Sequence, residues 1–165
     1  MADNSKIRAI AVTVSDSRTE ETDVSGNKLV ELLMGFGAEV VEKIIISDDF
    51  DELRQTLYVL TEREDVNLII TTGGTGFAER DNTPEATRAV IEKEAQGLAE
   101  AMRSETAKIN PKAILSRGVC GIRNQTLIIN LPGSPKGVAE CFEVLKPVLQ
   151  HAINLLEGNT KHPNN

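Results

Sequence analysis

Short apolar runs alternate along the chain with segments in which apolar residues recur every three or four positions. The runs predict buried strands, and the longer periodic segments predict amphipathic helices. The predicted strands cover residues 7–14, 40–46, 66–72 and 126–131. The predicted helices cover about residues 25–36, 50–64, 83–94, 97–108 and 136–156, the last as one helix or two. Continuous aliphatic strands that alternate with helices indicate an α/β fold, a three-layer α-β-α domain with a mostly parallel sheet.

Capping residues set several of the predicted helix ends. Ser25 is expected to cap the first helix. Thr83 is expected to cap the third helix, with Pro84 at its first helical position. Acidic residues precede the second helix at positions 48, 49 and 51, and one of them is expected to be its N-cap.

Length and composition bound the architecture. The chain has 165 residues, which favours a single domain over residues 1–165 with its core at about 7–157 and a polar C-terminal tail. Cys120 and Cys141 show no CxxC spacing, so two structural thiols in a reduced setting are expected. The N-terminus is too polar for a signal peptide, and no apolar run reaches membrane-spanning length. We therefore expect a cytoplasmic protein without a membrane partner.

The charge balance excludes one class of partner. The formal net charge is −7, and the chain has no Trp and one Tyr. It therefore lacks both the positive field and the stacking platforms that nucleic-acid-binding proteins use, and no nucleic-acid partner is expected. An anionic ligand would have to be held locally, by backbone N–H groups, a few cations or a metal ion.

Four polar or glycine-rich clusters directly follow the predicted strands. They lie at residues 15–17, 47–49, 73–76 and 130–134. In a parallel sheet the carboxyl ends of the strands meet at one edge, where open α/β sheets bind ligands. Clusters that are far apart in the sequence are therefore predicted to face one crevice.

The cluster at residues 73–76 has the composition of a phosphate-binding loop. Its glycines permit positive φ and close backbone approach, so that successive N–H groups can face a phosphate. For this motif alone, a tight turn that needs glycine is an equal alternative. The sequence matches neither a Walker A loop nor the dinucleotide fingerprint.

Two carboxylates beside that loop are candidates for a metal site. Asp81 follows the loop, and a carboxylate next to a polyphosphate is tolerated when Mg²⁺ lies between them. The alternatives for Asp81 are a favourable place at a helix N-terminus and a pair with Arg80. Asp48 is nearest to the end of the second strand and is the second candidate, with Asp49 as the alternative.

The end of the last strand predicts an anion site. Ser134 is the expected N-cap and Pro135 the first helical residue, so free N–H groups and the Lys136 ammonium lie together there. A lysine in the first turn is unfavourable for the helix itself, and a bound phosphate would compensate it.

The segment "AILSRGVC" offers further candidate side chains. Ser116 could add a hydroxyl and Arg117 a planar cation, although a surface arginine is an equal alternative. Cys120 is expected to be a small core residue rather than a nucleophile, because neither His151 nor His162 is near it in the sequence.

Three segments taken together resemble the MogA/MoaB family of molybdenum cofactor biosynthesis proteins, which includes the G domain of gephyrin. They are "TVSDSRTEETDVSG", "TTGGTGFAERDNTPEAT" and "AILSRGVCGIRNQTLIINLPGSPKG". The likeness runs from about residue 7 to residue 157. It implies a homotrimeric molybdopterin adenylyltransferase that uses Mg²⁺ and ATP, with the molybdenum-insertion protein of the pathway as a candidate partner.

The resemblance also implies a role for individual residues. Asp81 and Asp48 match the catalytic, Mg²⁺-binding carboxylates of the family. The positions that match the ATP site are Gly73, Gly74, Thr75, Gly76, Ser15 and Asp16. The positions that match the molybdopterin site are Ser116, Arg117, Asn130, Pro132, Gly133, Ser134 and Lys136.

Two other functions remain open at this point. A non-catalytic module that binds molybdopterin and presents it to a partner would show pterin affinity without ATP turnover. A flavodoxin-like nucleotide binder is the weaker alternative, and it would tolerate changes in "NLPGSPKG". The sequence does not distinguish a molybdenum pathway from a tungsten pathway.

Overall fold

The sheet and its helices follow the predicted alternation. The computed structural model describes residues 4–159, so residues 160–165 of the predicted tail lie outside the described residues. In chain order the elements are β1 (Arg8–Val14), α1 (Val24–Phe36), β2 (Glu39–Ile46), α2 (Phe50–Thr61), β3 (Leu68–Thr72), α3 (Thr83–Val90), β4 (Lys93–Glu94), α4 (Gln96–Ala107), a 3₁₀ helix (Pro111–Leu115), β5 (Cys120–Arg123), β6 (Thr126–Leu131) and α5 (Pro135–Leu156). The strands form a six-stranded sheet in the order β2-β1-β3-β6-β5-β4.

Four neighbouring strands of this sheet run parallel. They are β2, β1, β3 and β6, while β5 and β4 continue the sheet antiparallel beyond β6. The register aligns Ile10 with Ile69 and Ile69 with Ile128 across the three central strands. Every residue of β3 and β6 is buried. The parallel strands therefore end together at one edge of a covered sheet, as the sequence predicts.

Two apolar cores, one on each face of the sheet, confirm the three-layer arrangement. On one face α1, α4 and α5 contribute Leu33, Met102 and Phe142. On the other face α2 and α3 contribute Leu57 and Val90. The burial of both faces explains why the parallel strands read as continuous aliphatic runs.

The first helix begins earlier than predicted, and its cap is Asp23 rather than Ser25. The Gly26 N–H donates to Asp23 Oδ1 at 2.9 Å. The Asp23 carboxylate is buried, and it also accepts a bond from the Thr13 hydroxyl and pairs with Lys43 at 2.8 Å. Asp23 is the cap because tertiary partners on β1 and β2 hold it in place. Those partners are not visible in the local sequence.

The prediction of a helix to residue 94 is wrong. The helix α3 ends at Val90, and residues 93 and 94 form the edge strand β4, which pairs antiparallel with β5. Neither short strand was predicted. The Glu92 N–H donates to the Ile122 carbonyl and the Ala95 N–H to the Cys120 carbonyl, each at 2.8 Å. Pairing with β5 therefore overrides the helical propensity of the segment.

Thr83 begins α3 but does not cap it. It is the first helical residue after Asn82, whose side chain makes no capping bond. The Thr83 hydroxyl instead donates to the Gly73 carbonyl at 2.9 Å, and the Thr83 N–H donates to the Gly74 carbonyl at 3.1 Å. The residue predicted as a helix cap thus anchors the glycine loop to the helix that follows it.

The last helix is one element. α5 runs unbroken over 22 residues with Pro147 inside it, which decides between the predicted alternatives of one helix and two. Within residues 4–159, no helix combines the length and the apolar character that a membrane crossing requires.

Candidate functional site

A cleft of about 470 Å³ lies at the carboxyl ends of β3 and β6. The loops after these two strands form one wall, and α4, the 3₁₀ helix and the start of α5 form the rest. Ten of the predicted site residues line it: Gly74, Thr75, Gly76, Asp81, Ser116, Asn130, Pro132, Gly133, Ser134 and Lys136. Two of the four predicted clusters, at residues 73–76 and 130–134, thus meet in one crevice, while residues 15–17 and 47–49, among them Asp48, lie outside its lining.

The glycine loop has backbone that other residues would strain. Gly73 has a φ of 105° and Gly74 a φ of 65°. A Cβ on Gly73 would lie 2.4 Å from the Val14 carbonyl oxygen, and one on Gly74 would lie 2.3 Å from Thr83 Oγ1. Positive φ and close packing therefore both require glycine at these positions.

Asp81 lies against this loop at the cleft. Its Oδ2 accepts a hydrogen bond from the Ala78 N–H at 3.0 Å, and a Cβ on Gly76 would lie 2.8 Å from the same oxygen. Arg80, its sequence neighbour, pairs with Asp16 at 2.6 Å. The Arg80–Asp81 pair that the sequence left open is therefore not formed, and the Asp81 carboxylate faces the glycine loop.

Asp48 reaches the same loop from the end of β2. A Cβ on Gly74 would lie 3.2 Å from Asp48 Oδ1. Burial raises the pKa of Asp48, and the nearby carboxylates of Asp16 and Asp81 add to the rise, although a bond from the Asp16 N–H opposes it. Asp49, the alternative candidate, caps α2 by accepting from the Glu52 N–H at 2.9 Å. Asp48 is therefore the residue of this pair that faces the glycine loop.

Ser15 and Asp16 stand outside the cleft lining, at the end of β1. Ser15 Oγ accepts bonds from the N–H groups of Ser17 and Arg18, each at 3.2 Å. The Arg80 side chain bonds to Asp16 and lowers the pKa of its carboxyl group. Both residues thus order the loop next to Asp48.

The loop after β6 is built as predicted around Ser134 and Pro135. Ser134 caps α5 by accepting from the Gly137 N–H at 3.0 Å, and Pro135 is the first helical residue. The Thr72 hydroxyl donates to the Pro132 carbonyl at 2.7 Å. These contacts place a helix N-terminus at the cleft.

The same loop also packs against neighbouring elements. The Ser25 hydroxyl donates to the Gly133 carbonyl at 2.7 Å, and a Cβ on Gly133 would lie 3.3 Å from Gly73 Cα. The loop after β6 and the glycine loop therefore touch each other.

The cations of the cleft differ in their partners. The Lys136 side chain is 77% exposed and lies 3.7 Å from the Glu140 carboxylate, which supplies part of the compensation predicted for it.

Arg103, on α4, was missed by sequence reasoning. It is half-buried and donates to the Gly118 carbonyl at 2.8 Å and the Ser116 carbonyl at 3.4 Å. No carboxylate among residues 4–159 pairs with it.

Helical spacing could have pointed to Arg103. Ala99, Met102 and Thr106 are buried on the cleft side of α4, and position 103 lies on the same face. A cation on that face was a signal, but without the neighbouring loops its environment could not be inferred.

Asn130 lies in the floor of the cleft, with its amide already bonded inside the protein. Its side-chain NH₂ group donates to the Thr71 and Thr87 hydroxyls at 3.0 Å each, and its Oδ1 accepts from the Val119 N–H at 3.0 Å. Ser116 is different, because it is half-buried and lines the cleft. Its Oγ accepts from the Gly118 N–H at 3.3 Å.

The structure places Arg117 behind the glycine loop rather than in the cleft lining. Its Nε donates to the Gly76 carbonyl at 2.7 Å and its Nη2 to the Asp81 carbonyl at 2.7 Å. Its guanidinium also pairs with Glu85. The surface-arginine alternative is excluded by these contacts.

The two cysteines are free and buried, as predicted. Burial raises the pKa of the Cys120 thiol to about 12 and that of Cys141 to about 11. Thiols with these pKa values remain protonated near neutral pH and are poor nucleophiles.

The carboxylates around the glycine loop fit part of a Mg²⁺ coordination sphere. Mg²⁺ typically binds through one or two carboxylates, with phosphate oxygens and water at its other positions. Asp48 and Asp81 supply two such groups. Within residues 4–159 no set of three or more Asp, Glu, His or Cys side chains is arranged to hold a metal ion. These two carboxylates would therefore leave the other coordination positions of such an ion to a ligand or to water.

A family model described as "Probable molybdopterin binding domain" matches residues 10–151. The chain belongs to this family. The match covers most of β1, the other three parallel strands and the whole cleft, and it confirms the resemblance drawn from the sequence.

Named relatives agree with this membership. The chain is 45% identical over 148 residues to the molybdenum cofactor synthesis protein cinnamon of Drosophila melanogaster. The aligned region covers 88% of this chain and 25% of cinnamon. It is 42% identical over 139 residues to a molybdopterin adenylyltransferase of Helicobacter pylori, and the aligned region covers 83% of this chain and 79% of that enzyme.

A solved structure supports the fold. The molybdopterin biosynthesis enzyme MoaB from Thermus thermophilus matches with a TM-score of 0.84 and 43% sequence identity. The match covers 92% of this chain and 97% of that one. The α/β fold is thus shared with a protein of the same family.

Proposed function

We propose that this chain is a molybdopterin adenylyltransferase, which transfers AMP from ATP to the terminal phosphate of molybdopterin and releases pyrophosphate. The observation that carries the proposal is the meeting of two anion-binding elements in one cleft. The glycine loop with Asp81 lies at one side, and the N-terminus of α5 with Ser134 lies at the other. Two phosphorylated ligands can therefore be held next to each other.

The glycine loop is the proposed ATP side. Its backbone N–H groups would face the phosphates, and Asp48 and Asp81 would hold Mg²⁺ beside them. The Asp16 N–H holds Asp48 from the adjacent strand end, and Ser15 orders the loop that carries Asp16. The Asp48 carboxylate therefore faces the glycine loop and forms no salt bridge with the described residues.

The other end of the cleft is the proposed molybdopterin side. Apolar side chains of α4 and the 3₁₀ helix, among them Met102 and Leu115, provide a surface for a planar ring. Ser116, Ser134 and the cations Arg103 and Lys136 surround it with hydrogen-bond donors. We propose that Asn130, Pro132 and Gly133 form the floor and the backbone wall of the molybdopterin end of the cleft.

The reaction needs placement and charge neutralisation more than covalent help from the protein. A phosphate oxygen of the pterin forms a bond to the α-phosphorus of ATP, while the bond from that phosphorus to the bridging oxygen breaks and pyrophosphate leaves. Mg²⁺ supplies neutralisation of the leaving group when it is bound. The loop N–H groups and the cleft cations hold the two anionic ligands in line.

The alternative is a molybdopterin-binding module without catalysis. We favour the enzyme because both Asp48 and Asp81 are present and both lie against the glycine loop. A module that only presented the pterin would have no use for two carboxylates beside a phosphate loop. Incubation of the protein with molybdopterin and Mg-ATP tests the choice, because only the enzyme yields a pterin–AMP product and pyrophosphate.

The assembly and setting are further parts of the proposal. We propose one domain over residues 1–165, a homotrimer, a cytoplasmic location, and the molybdenum-insertion protein as a partner. Leu98, Ala101, Val144 and Val148 line an apolar groove between α4 and α5, which supports an interface built from helix faces. Each chain contains its own cleft, so the three sites are expected to act independently. Light scattering at micromolar concentration would show a trimer mass, and a monomer mass would contradict it.

A further inference from the structure

The side chain of Arg117 ends inside the segment that carries the glycine loop and Asp81. Its Nε donates to the Gly76 carbonyl and its Nη2 to the Asp81 carbonyl, each at 2.7 Å. Its backbone N–H donates to the Thr75 carbonyl at 2.8 Å. Its Nη1 pairs with Glu85 on α3. One residue therefore contacts the segment at three points and the following helix, α3, at a fourth.

These contacts fix the distance between the Gly76 and Asp81 carbonyl groups, which few bonds within the segment itself hold. Between Gly76 and Asp81, the hydrogen bonds within the segment are those that join Ala78 and Asp81, and the Arg80 side chain adds a pair of bonds to Asp16 outside it. A planar guanidinium binds two carbonyl oxygens at a set separation, which a lysine ammonium cannot reproduce. Arg117 thus sets the position of the Asp81 backbone relative to the glycine loop.

Arg117 also connects the two sides of the cleft. Its neighbour Ser116 lines the cleft beside α4, while the Arg117 side chain holds the wall that contains Asp81. A shift of the backbone at residues 116–117 would therefore move Asp81 relative to a ligand bound in the cleft beside Ser116.

We propose that Arg117 is a positioning residue, which places Asp81 and the glycine loop for adenylyl transfer and does not contact the pterin. The inference rests on the proposed function. It departs from the role that motif matching assigns to this arginine, which is binding of molybdopterin. It predicts that loss of the guanidinium fork affects the rate of transfer and the use of Mg²⁺, and leaves the affinity for the pterin alone.

The test compares Arg117→Lys with wild type and with Arg88→Lys. Arg88 is an exposed arginine on α3 paired with Glu94, and it provides a control for the same substitution nearby. For Arg117→Lys we expect kcat to fall about 10- to 100-fold, as misplacement of a reacting group does. The Mg²⁺ concentration for half-maximal rate should rise several-fold, and Mg-ATP binding by calorimetry should weaken. Molybdopterin affinity, measured without ATP, should stay within about threefold of wild type.

Each other result has a defined meaning. A tenfold loss of pterin affinity with unchanged kcat in Arg117→Lys would overturn the inference, because the arginine would then bind the pterin. If Arg117→Lys does not fold, Glu85→Gln decides, since it removes one anchor of the guanidinium and leaves the carbonyl bonds. The inference expects a smaller fall in kcat there with pterin affinity intact, and an unchanged kcat overturns it. A wild-type protein that binds pterin but forms no product contradicts the proposed function instead.

Discussion

Asp16 and Asp48 hold each other across the ends of β1 and β2 by reciprocal hydrogen bonds. The Asp16 N–H donates to Asp48 Oδ2 at 3.0 Å, and the Asp48 N–H donates to Asp16 Oδ1 at 3.1 Å. Arg80 binds the Asp16 carboxylate at 2.6 and 3.0 Å. Among residues 4–159, no salt bridge of this kind reaches Asp48. Asp16 is therefore neutralised inside the protein, while the charge of Asp48 remains available to a ligand.

The first prediction concerns Asp48. In Asp48→Asn the side-chain oxygen can still accept from the Asp16 N–H, so the fold should persist while the charge is lost. We expect the rate of adenylyl transfer to fall about tenfold or more and the Mg²⁺ requirement to rise. Steady-state kinetics across a Mg²⁺ titration measure both effects.

The neighbouring Asp49 provides the control for that variant. Asp49→Asn changes a residue that caps α2, and asparagine is an equally good cap, so the kinetics should stay near wild type. Equal losses in both variants would mean that the loop tolerates no change, and that the charge of Asp48 has no special role.

The second prediction concerns Asp81, whose Oδ2 is held by the Ala78 N–H. Asp81→Asn should slow adenylyl transfer by about 100-fold or more, because the lost charge serves the metal and the transition state. Molybdopterin binding should stay within a few-fold. Glu79→Gln removes an exposed charge from the same loop and should leave the rate unchanged. Near-normal turnover in Asp81→Asn would remove this residue from the mechanism.

The third prediction ranks the cations of the cleft. Arg103→Met should weaken molybdopterin binding about tenfold, because a half-buried cation without a carboxylate partner binds an anion strongly. Lys136→Ala should weaken it only a few-fold, since this ammonium is exposed and shared with Glu140. Both losses should exceed those for ATP and shrink at high salt, where charge is screened. Fluorescence titration of the pterin at two salt concentrations measures the ranking.

A larger loss for Lys136→Ala than for Arg103→Met would contradict the ranking. A loss of ATP affinity alone would mean that the two ligands have been assigned to the wrong ends of the cleft. Glu140→Gln gives an independent check. It releases Lys136 from its carboxylate and should strengthen pterin binding slightly.

The fourth prediction concerns stability and the buried residue Asp23, which pairs with the half-buried Lys43. Burial alone would raise the pKa of Asp23, but its bonds from Lys43, Thr13 and the Gly26 N–H outweigh burial and lower it. Asp23→Ala should reduce the free energy of unfolding by about 2 to 4 kcal/mol, because it removes the cap of α1 and the buried acceptor of Thr13 and Lys43, although Lys43 keeps Glu20 as a partner. Urea denaturation near pH 7 measures the change.

The pH dependence of that difference has a defined sign. Because the folded-state pKa of Asp23 is lowered, its contribution is present above the unfolded-state pKa, about 3.9, and is lost as the pH falls below it. The stability gap between wild type and Asp23→Ala should therefore narrow under acid. Glu20→Gln, which removes the exposed partner of Lys43, should cost less than about 1 kcal/mol. A gap that widens under acid would contradict this account of Asp23.

The sequence was sufficient for the parallel part of the sheet and for the edge where the site lies. Buried parallel strands are continuous aliphatic runs, so their periodicity is unambiguous, and their carboxyl ends must meet. The short strands β4 and β5 could not be predicted, because each is defined by its pairing with another strand. Their local sequence does not show which strand they pair with.

The site was predictable in its loops and less so in its side-chain partners. Gly73 and Gly74 carry a backbone requirement that is visible in the sequence. The roles of Arg117 and Arg103 depend on carbonyl groups from segments distant in the chain. A cation that binds backbone and a cation that binds a ligand look the same in a sequence, and only the tertiary contacts separate them.

The most direct test of the account is product formation by the wild-type protein. The protein is incubated with molybdopterin and Mg-ATP, and pterin–AMP and pyrophosphate are quantified together, with Asp81→Asn as the parallel sample. We predict that both products form in equal amounts, that neither forms when Mg²⁺ is chelated, and that Asp81→Asn is slower by orders of magnitude. Tight pterin binding by the wild type with no pterin–AMP and no pyrophosphate would contradict the account and identify a binding module.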